Sequence, residues 1–279
     1  CNSDTNLVIF MKLLLLLSFL FLINCSQNSI ETRNNLIDDL NLDKFNKKIY
    51  TTSYFKIYSL EKIRNDGKLI IYIEGDGMSW VDRFTISSNP TPNNPTAFKL
   101  ALLDSSDNVI YLARPCQFEW SNNCNKDTWT LSQYSTSVLS GYKSIIEELS
   151  GKYEEIHLVG YSGGAGITMY LGSINNKSIK SIRTVAGNIN HNALTQLLNI
   201  TNLSKSLNFY PIVEKTNKVP QVHYYGLEDK VVPNQLQISY KNKNVDNKCI
   251  NIKSVNATHD SGWEDFWKTN SSVLPKRCS

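Results

Sequence analysis

The sequence predicts an α/β protein built on a mostly parallel central sheet with helices on both faces. Three observations predict it. Short continuous apolar runs recur, KLIIYI at 68–73, NVIYLA at 108–113 and IHLV at 156–159. Such runs mark strands covered on both faces. Between the second and third, Val138, Tyr142, Ile145, Ile146 and Leu149 recur at the spacing of an amphipathic helix. A glycine-rich turn and a further helix through about Leu171 then follow the third strand. Strand and helix in regular alternation build a parallel sheet.

The chain has 279 residues, 41% hydrophobic and 19% charged. That composition belongs to a folded globular protein with a core large enough to hold a site. The net charge of +4 comes from interspersed lysines and acids. No long basic run or nucleic-acid motif accompanies it, so no nucleic-acid partner is expected.

Taken in order, the chain starts on Cys1, and Met11 is the expected translation start. Lys12 and the apolar run Leu13 to Ile23 follow. The run is shorter than the roughly 20 residues that cross a bilayer. It has the length of a signal-peptide centre. Residues 11–25 are therefore expected to be a signal peptide. Leu22-Ile23-Asn24-Cys25 resembles the lipobox of bacterial lipoproteins. That resemblance implies lipidation of Cys25 and a membrane anchor in the bacterial cell envelope, at the outer membrane or in the periplasm. A signal peptide cut elsewhere and an uncleaved anchor remain open, and all three export residues 30–279. The polar stretch 26–48 reads as a tether or a loose first helix, and 49–279 as one domain.

Within that domain, Ile49 to Leu60 reads as one or two strands. The NPTPNNP stretch at 89–95 is a surface loop. Further strands are expected at 179–186, 221–225 and 249–255. Residues 188–218 are the only sizeable insertion after the helix ending near Leu171, which leaves room for a small cap or none. Apart from Cys1 and Cys25, the cysteines are Cys116, Cys124, Cys249 and Cys278. An even set in an exported chain suggests disulfides. Proximity favours Cys116–Cys124 and Cys249–Cys278 among the three pairings, with four buried free thiols as the alternative. No metal-ligand spacing accompanies them, so no metal is expected.

Four segments carry the chemistry. Gly160-Tyr161-Ser162-Gly163-Gly164 matches G-x-S-x-G between a buried strand and a helix. Glu74-Gly75-Asp76-Gly77 follows the strand KLIIYI. Gly226-Leu227-Glu228-Asp229-Lys230-Val231-Val232-Pro233 follows the strand 219–226, and Ala257-Thr258-His259 follows the last strand. In this order and these contexts the segments resemble those of the α/β-hydrolases, over residues 68 to about 267. The run Tyr111-Leu112-Ala113-Arg114-Pro115-Cys116-Gln117 looks like one in a set of bacterial exported α/β-hydrolases.

The resemblance implies a role for each residue. Ser162 is the nucleophile, His259 the base and Asp229 the acid, with neighbouring Glu228 as the alternative acid. The Gly163 and Asp76 backbone N–H groups form the oxyanion hole, and Glu74 stands where many lipases and esterases have His. The other histidines, His157, His191 and His223, are read as structural. The implied activity is cofactor-free hydrolysis of a small-molecule or lipid ester through an acyl-enzyme. A peptidase or an acyltransferase uses the same machinery, and a non-catalytic envelope protein can use the same fold.

Overall fold

The computed structural model describes Arg33, Ile37, Leu40 and residues 44–278. The expected signal peptide at 11–25, Cys25 and most of the stretch 26–48 lie outside the described residues. One sheet organises the unit Asp43–Ser279. Its strands are β1 (Asn46–Thr51), β2 (Lys56–Lys62), β3 (Leu69–Ile73), β4 (Asn108–Leu112), β5 (Ile156–Tyr161), β6 (Ile179–Val185), β7 (Gln221–Gly226) and β8 (Ile250–Val255). They lie in the order β1-β2-β4-β3-β5-β6-β7-β8. β1, β2 and β4 pair antiparallel, and every pairing from β4 to β8 is parallel.

The helices are α1 (Thr96–Leu102), α2 (Thr136–Ser150), α3 (Gly164–Ser173), α4 (His191–Leu198), α5 (Tyr210–Lys215), α6 (Gln235–Lys243) and α7 (Trp263–Asn270). They divide between the two faces of the sheet, and the alternation of β3 shows how. Leu69, Ile71 and Ile73 join one core with Leu139, Tyr142 and Ile146 of α2 and Ile167 and Leu171 of α3. Tyr72 points the other way. Its hydroxyl donates to Asp104 Oδ2 at 2.6 Å and accepts from Trp267 Nε1 of α7 at 2.8 Å. Both faces of the central strands are therefore covered, which is why KLIIYI and NVIYLA read as unbroken apolar runs.

β1 begins three residues earlier than the sequence expectation, which assigned 26–48 to a tether. Asn46, Lys47 and Lys48 pair with Glu61, Leu60 and Ser59. β1 is the outermost strand of the sheet, and lysine is tolerated there because one side faces solvent. Its charges therefore hide the strand from a hydrophobicity reading. The four cysteines form Cys116–Cys124 and Cys249–Cys278, with Cα–Cα distances of 5.8 and 4.5 Å. Neither thiol pair is free, and two disulfides fit an extracytoplasmic compartment. Among the described residues, no helix is long and apolar enough to cross a membrane.

The sheet register sets the site. Ile73 of β3 pairs with Gly160 of β5, Tyr161 with Val185 of β6, and Gly226 of β7 with Val255 of β8. The carboxyl ends of these strands are aligned, so the loops after them share one edge of the sheet. Open α/β sheets place their ligands at this edge.

Candidate active site

Ser162 sits between β5 and α3 at a φ of +47°. A residue with a side chain is strained in this left-handed region. Two backbone bonds hold it there: Ser162 N–H donates to Val185 O at 3.0 Å, and Ser162 O accepts from Asn188 N–H at 2.9 Å. The turn also brings α3 against β3. A Cβ on Gly164 would lie 2.3 Å from Ile73 O, so only glycine fits there. The hydroxyl of Ser162 thereby stands at the N-terminal, positive end of α3.

His259 lies in the loop after β8, and its Nε2 is 3.0 Å from Ser162 Oγ. Its Nδ1 is 2.9 Å from Asp229 Oδ2. Asp229 lies in the loop after β7 with its side chain shut off from solvent. Its other oxygen, Oδ1, accepts the backbone N–H groups of Val231 and Val232, each at 2.9 Å. Glu228, its sequence neighbour, is exposed. The imidazole loop is anchored from two sides. Trp263 Nε1 donates to His259 O at 2.9 Å, and Tyr161 O–H to the same carbonyl at 3.0 Å. The geometry can move a proton from a serine hydroxyl onto an imidazole that a buried carboxylate orients.

On the opposite side of Ser162, the loop after β3 packs against the elbow. Gly75 lies so close that a Cβ there would sit 3.0 Å from Ser162 Cβ. The Asp76 carboxylate presses on Gly163, where a Cβ would meet Asp76 Oδ1 at 2.0 Å. Among the described residues, no protein acceptor takes up the Asp76 or Gly163 backbone N–H. Glu74 is fully buried, and its Oε1 accepts the N–H groups of Gly75 and Ala97 at 2.9 and 3.3 Å. Tyr111 O–H reaches its Oε2 at 3.2 Å. Burial pushes the Glu74 carboxyl up to about 7, against the pull of those bonds.

The remaining histidines are all committed to packing. His157 sits between Ser181 Oγ at 2.7 Å and Glu155 Oε1 at 2.9 Å. His191 stacks on Tyr134, and its Nε2 lies 2.8 Å from Leu207 O. His223 bridges Thr184 and Gln221. Burial lowers the pKa of all three, that of His223 to about 3. The insertion at 188–218 carries α4 and α5. With α6 they enclose a cavity of about 480 Å3, whose lining includes neither Ser162 nor His259.

Sequence reasoning missed a polar network behind Asp76. Arg114 Nη1 donates to Asp76 Oδ1 at 2.7 Å, and its Nη2 to Gln133 O at 2.8 Å. The Gln117 side chain joins Arg114 N to Gly75 O, both at 3.0 Å. Tyr134 O–H donates to Gly163 O at 2.9 Å. The one signal for it in the sequence is the run Tyr111 to Gln117, which carries Arg114 and Gln117.

No protein-family model matches the chain, and no curated protein matches it either. Solved structures do. Est1E from Butyrivibrio proteoclasticus, with ferulic acid bound, is 11% identical at a TM-score of 0.60, over 80% of this chain and 96% of that one. An esterase from Pyrococcus furiosus is 14% identical at 0.57, over 81% of this chain and 89% of its own. An acylaminoacyl peptidase from Pyrococcus horikoshii is 13% identical at 0.54, over 87% of this chain and 44% of its own. Strand order, the strained strand-to-helix turn at Ser162 and these likenesses converge: the chain has the α/β-hydrolase fold.

Proposed function

We propose that the protein is a serine hydrolase that cleaves ester-type bonds through an acyl-enzyme on Ser162. The observation that carries this is the unbroken relay Ser162 Oγ–His259 Nε2–His259 Nδ1–Asp229 Oδ2, with links of 3.0 and 2.9 Å. In the proposed reaction Ser162 Oγ attacks the carbonyl carbon while His259 Nε2 takes its proton. Negative charge gathers on the carbonyl oxygen, to which the Gly163 and Asp76 N–H groups donate. Collapse expels the alcohol, which leaves with the proton from His259. Water then attacks the acyl group as His259 accepts its proton, and the acid departs as His259 returns that proton to Ser162 Oγ. One of the similar structures is named an esterase, which supports an ester as the test substrate.

The test is Ser162→Ala assayed on a short-chain p-nitrophenyl ester, beside fluorophosphonate labelling of the wild type. Losing the nucleophile is expected to cost about three or more orders of magnitude in rate. Labelling is expected to add one phosphonate, on Ser162. A variant retaining more than about a tenth of the activity, or a wild type that takes no label, rejects the reading.

The same reading places the enzyme in the bacterial envelope, tethered through acyl chains on Cys25. The signal-peptide-like run and the disulfides support export. Intact-mass analysis of the native protein is expected to find Cys25 as a lipidated N-terminus, and a mature protein without lipid overturns the anchor.

A further inference from the structure

Asp76 sets a problem for the proposed chemistry. Its backbone N–H is a donor to the oxyanion, yet its own carboxylate lies in contact with Gly163, the other donor. A free carboxylate there opposes a second negative charge and competes for the same N–H groups. Two like charges held this close repel each other. The structure supplies a countercharge. Arg114 Nη1 meets Asp76 Oδ1 at 2.7 Å, and the Arg114 side chain is only 6% exposed. Burial by itself would lower the Arg114 pKa, but Asp76 together with Tyr134 and Tyr142 outweighs it and the net shift is upward, so the guanidinium stays charged. It is held in place by Gln133 O and by the face of Tyr134, 5.2 Å away.

We propose that Arg114 is a positioning residue of the oxyanion site, one that cancels and immobilises the Asp76 carboxylate so that the Asp76 and Gly163 amides meet the developing oxyanion alone. The inference rests on the proposed function. The neighbouring bonds serve the same end. Tyr134, under the guanidinium, holds the Gly163 carbonyl, and Gln117, bound to the Arg114 amide, holds the Gly75 carbonyl. One residue cluster thus fixes both loops of the hole from behind.

The test compares Arg114→Gln, Arg114→Lys and the double variant Arg114→Gln/Asp76→Asn in the full chain, with kcat and KM measured on p-nitrophenyl acetate. Arg114→Gln is expected to lower kcat about 100-fold, as loss of an oxyanion donor does, while KM moves less than about threefold. Removing the stranded charge in the double variant is expected to recover at least about tenfold of that loss. Arg114→Lys keeps the charge without the fork and is expected to fall between wild type and Arg114→Gln. A double variant no better than Arg114→Gln, or an Arg114→Lys as poor as it, overturns charge cancellation. So does a folded Arg114→Gln with kcat within about threefold of wild type. If Arg114→Gln fails to fold, the Lys variant decides alone: a kcat loss of about three- to thirtyfold with KM unchanged supports the inference, and a loss under about threefold or over about 100-fold overturns it. Fluorophosphonate labelling of wild type separates the two readings: label present with Arg114 unimportant rejects only this inference, and no label rejects both.

Discussion

Two aspartates flank Ser162, and they are held in opposite ways. Asp229 is sealed from solvent, grips two backbone amides with one oxygen and offers the other to His259. Asp76 is 29% exposed and is tied to Arg114. The partner decides what each carboxylate can do. An imidazole can take up a proton and give it back within a reaction, so a carboxylate behind it can stabilise a charge that comes and goes. A guanidinium stays charged, so the carboxylate beside it is permanently neutralised. The first arrangement suits a carboxylate that acts during a reaction. The second suits one that has to be kept out of it.

The largest expected effect breaks the first arm. In Asp229→Asn, the Val231 and Val232 amides keep the side-chain oxygen on their side. The new NH2 group then faces His259 Nδ1 and donates to it. The imidazole must carry its proton on Nε2, where it cannot accept one from Ser162. A loss of about 10^4 in kcat is expected. Glu228→Gln, one residue away and exposed, is expected to stay within about twofold, since it touches nothing in the relay. Equal losses in the two variants contradict the assignment of the acid.

The two arms were also unequally readable in the sequence. Ser162, Asp229 and His259 each follow a strand expected from the sequence, and local pattern places such loops at one sheet edge. The resemblance of Gly226 to Pro233 already favours Asp229 over Glu228, and the fold adds the physical difference between them, since Asp229 is sealed and Glu228 exposed. The Arg114–Asp76 pair joins residues 38 apart. No local period marks it, since it arises from the parallel pairing of β3 with β4. Likewise the charges of Lys47 and Lys48 hid the start of β1, and the helices α4 and α5, of eight and six residues, are too short for periodicity to show the cavity beside the insertion.

A third carboxyl sharpens the comparison, because Glu74 has neither an imidazole nor a guanidinium partner. Burial raises its pKa from 4.5 to about 7. The folded protein therefore holds this proton after the unfolded chain has lost it. Stability from this group is fully present below about pH 4.5 and is lost as pH rises through about 7. Glu74→Gln mimics the protonated form, with its oxygen toward the Gly75 and Ala97 amides and its NH2 toward Tyr111. Relative to wild type, the variant is expected to gain up to roughly 3 kcal/mol above pH 7 and almost nothing below pH 4.5. Urea unfolding at pH 4.5 and 8 measures the difference. A gap that does not widen with pH removes Glu74 as the source.

Each arm has its own disulfide, and the smallest expected effects separate them. Cys249–Cys278 closes a span of 29 residues that contains His259. In the chain-entropy account such a loop contributes about 3–4 kcal/mol, against about 2–3 for the span of 8 closed by Cys116–Cys124. Stability alone ranks the first bond higher. Site geometry ranks them the other way. The His259 loop is also held by Trp263 and Trp267, both fully buried, and by the bonds of Trp263 and Tyr161 to the His259 carbonyl. The turn from Arg114 to Phe118 is held by bonds of Arg114, Gln117 and Phe118, yet it puts Cys116 and Phe118 both in left-handed backbone at φ +70° and +59°. Residues with side chains stay there only when the surroundings impose it. Cys249→Ser/Cys278→Ser is therefore expected to lower Tm by roughly 10 °C while kcat at 25 °C stays within about twofold. Cys116→Ser/Cys124→Ser is expected to lower Tm less and kcat more, by about tenfold, because the Arg114 guanidinium and the Gln117 amide lose their fixed positions. Calorimetry and ester hydrolysis on the same samples test the crossing of the two rankings. If the bond that costs more Tm also costs more kcat, the Cys116–Cys124 bond does not brace the oxyanion side.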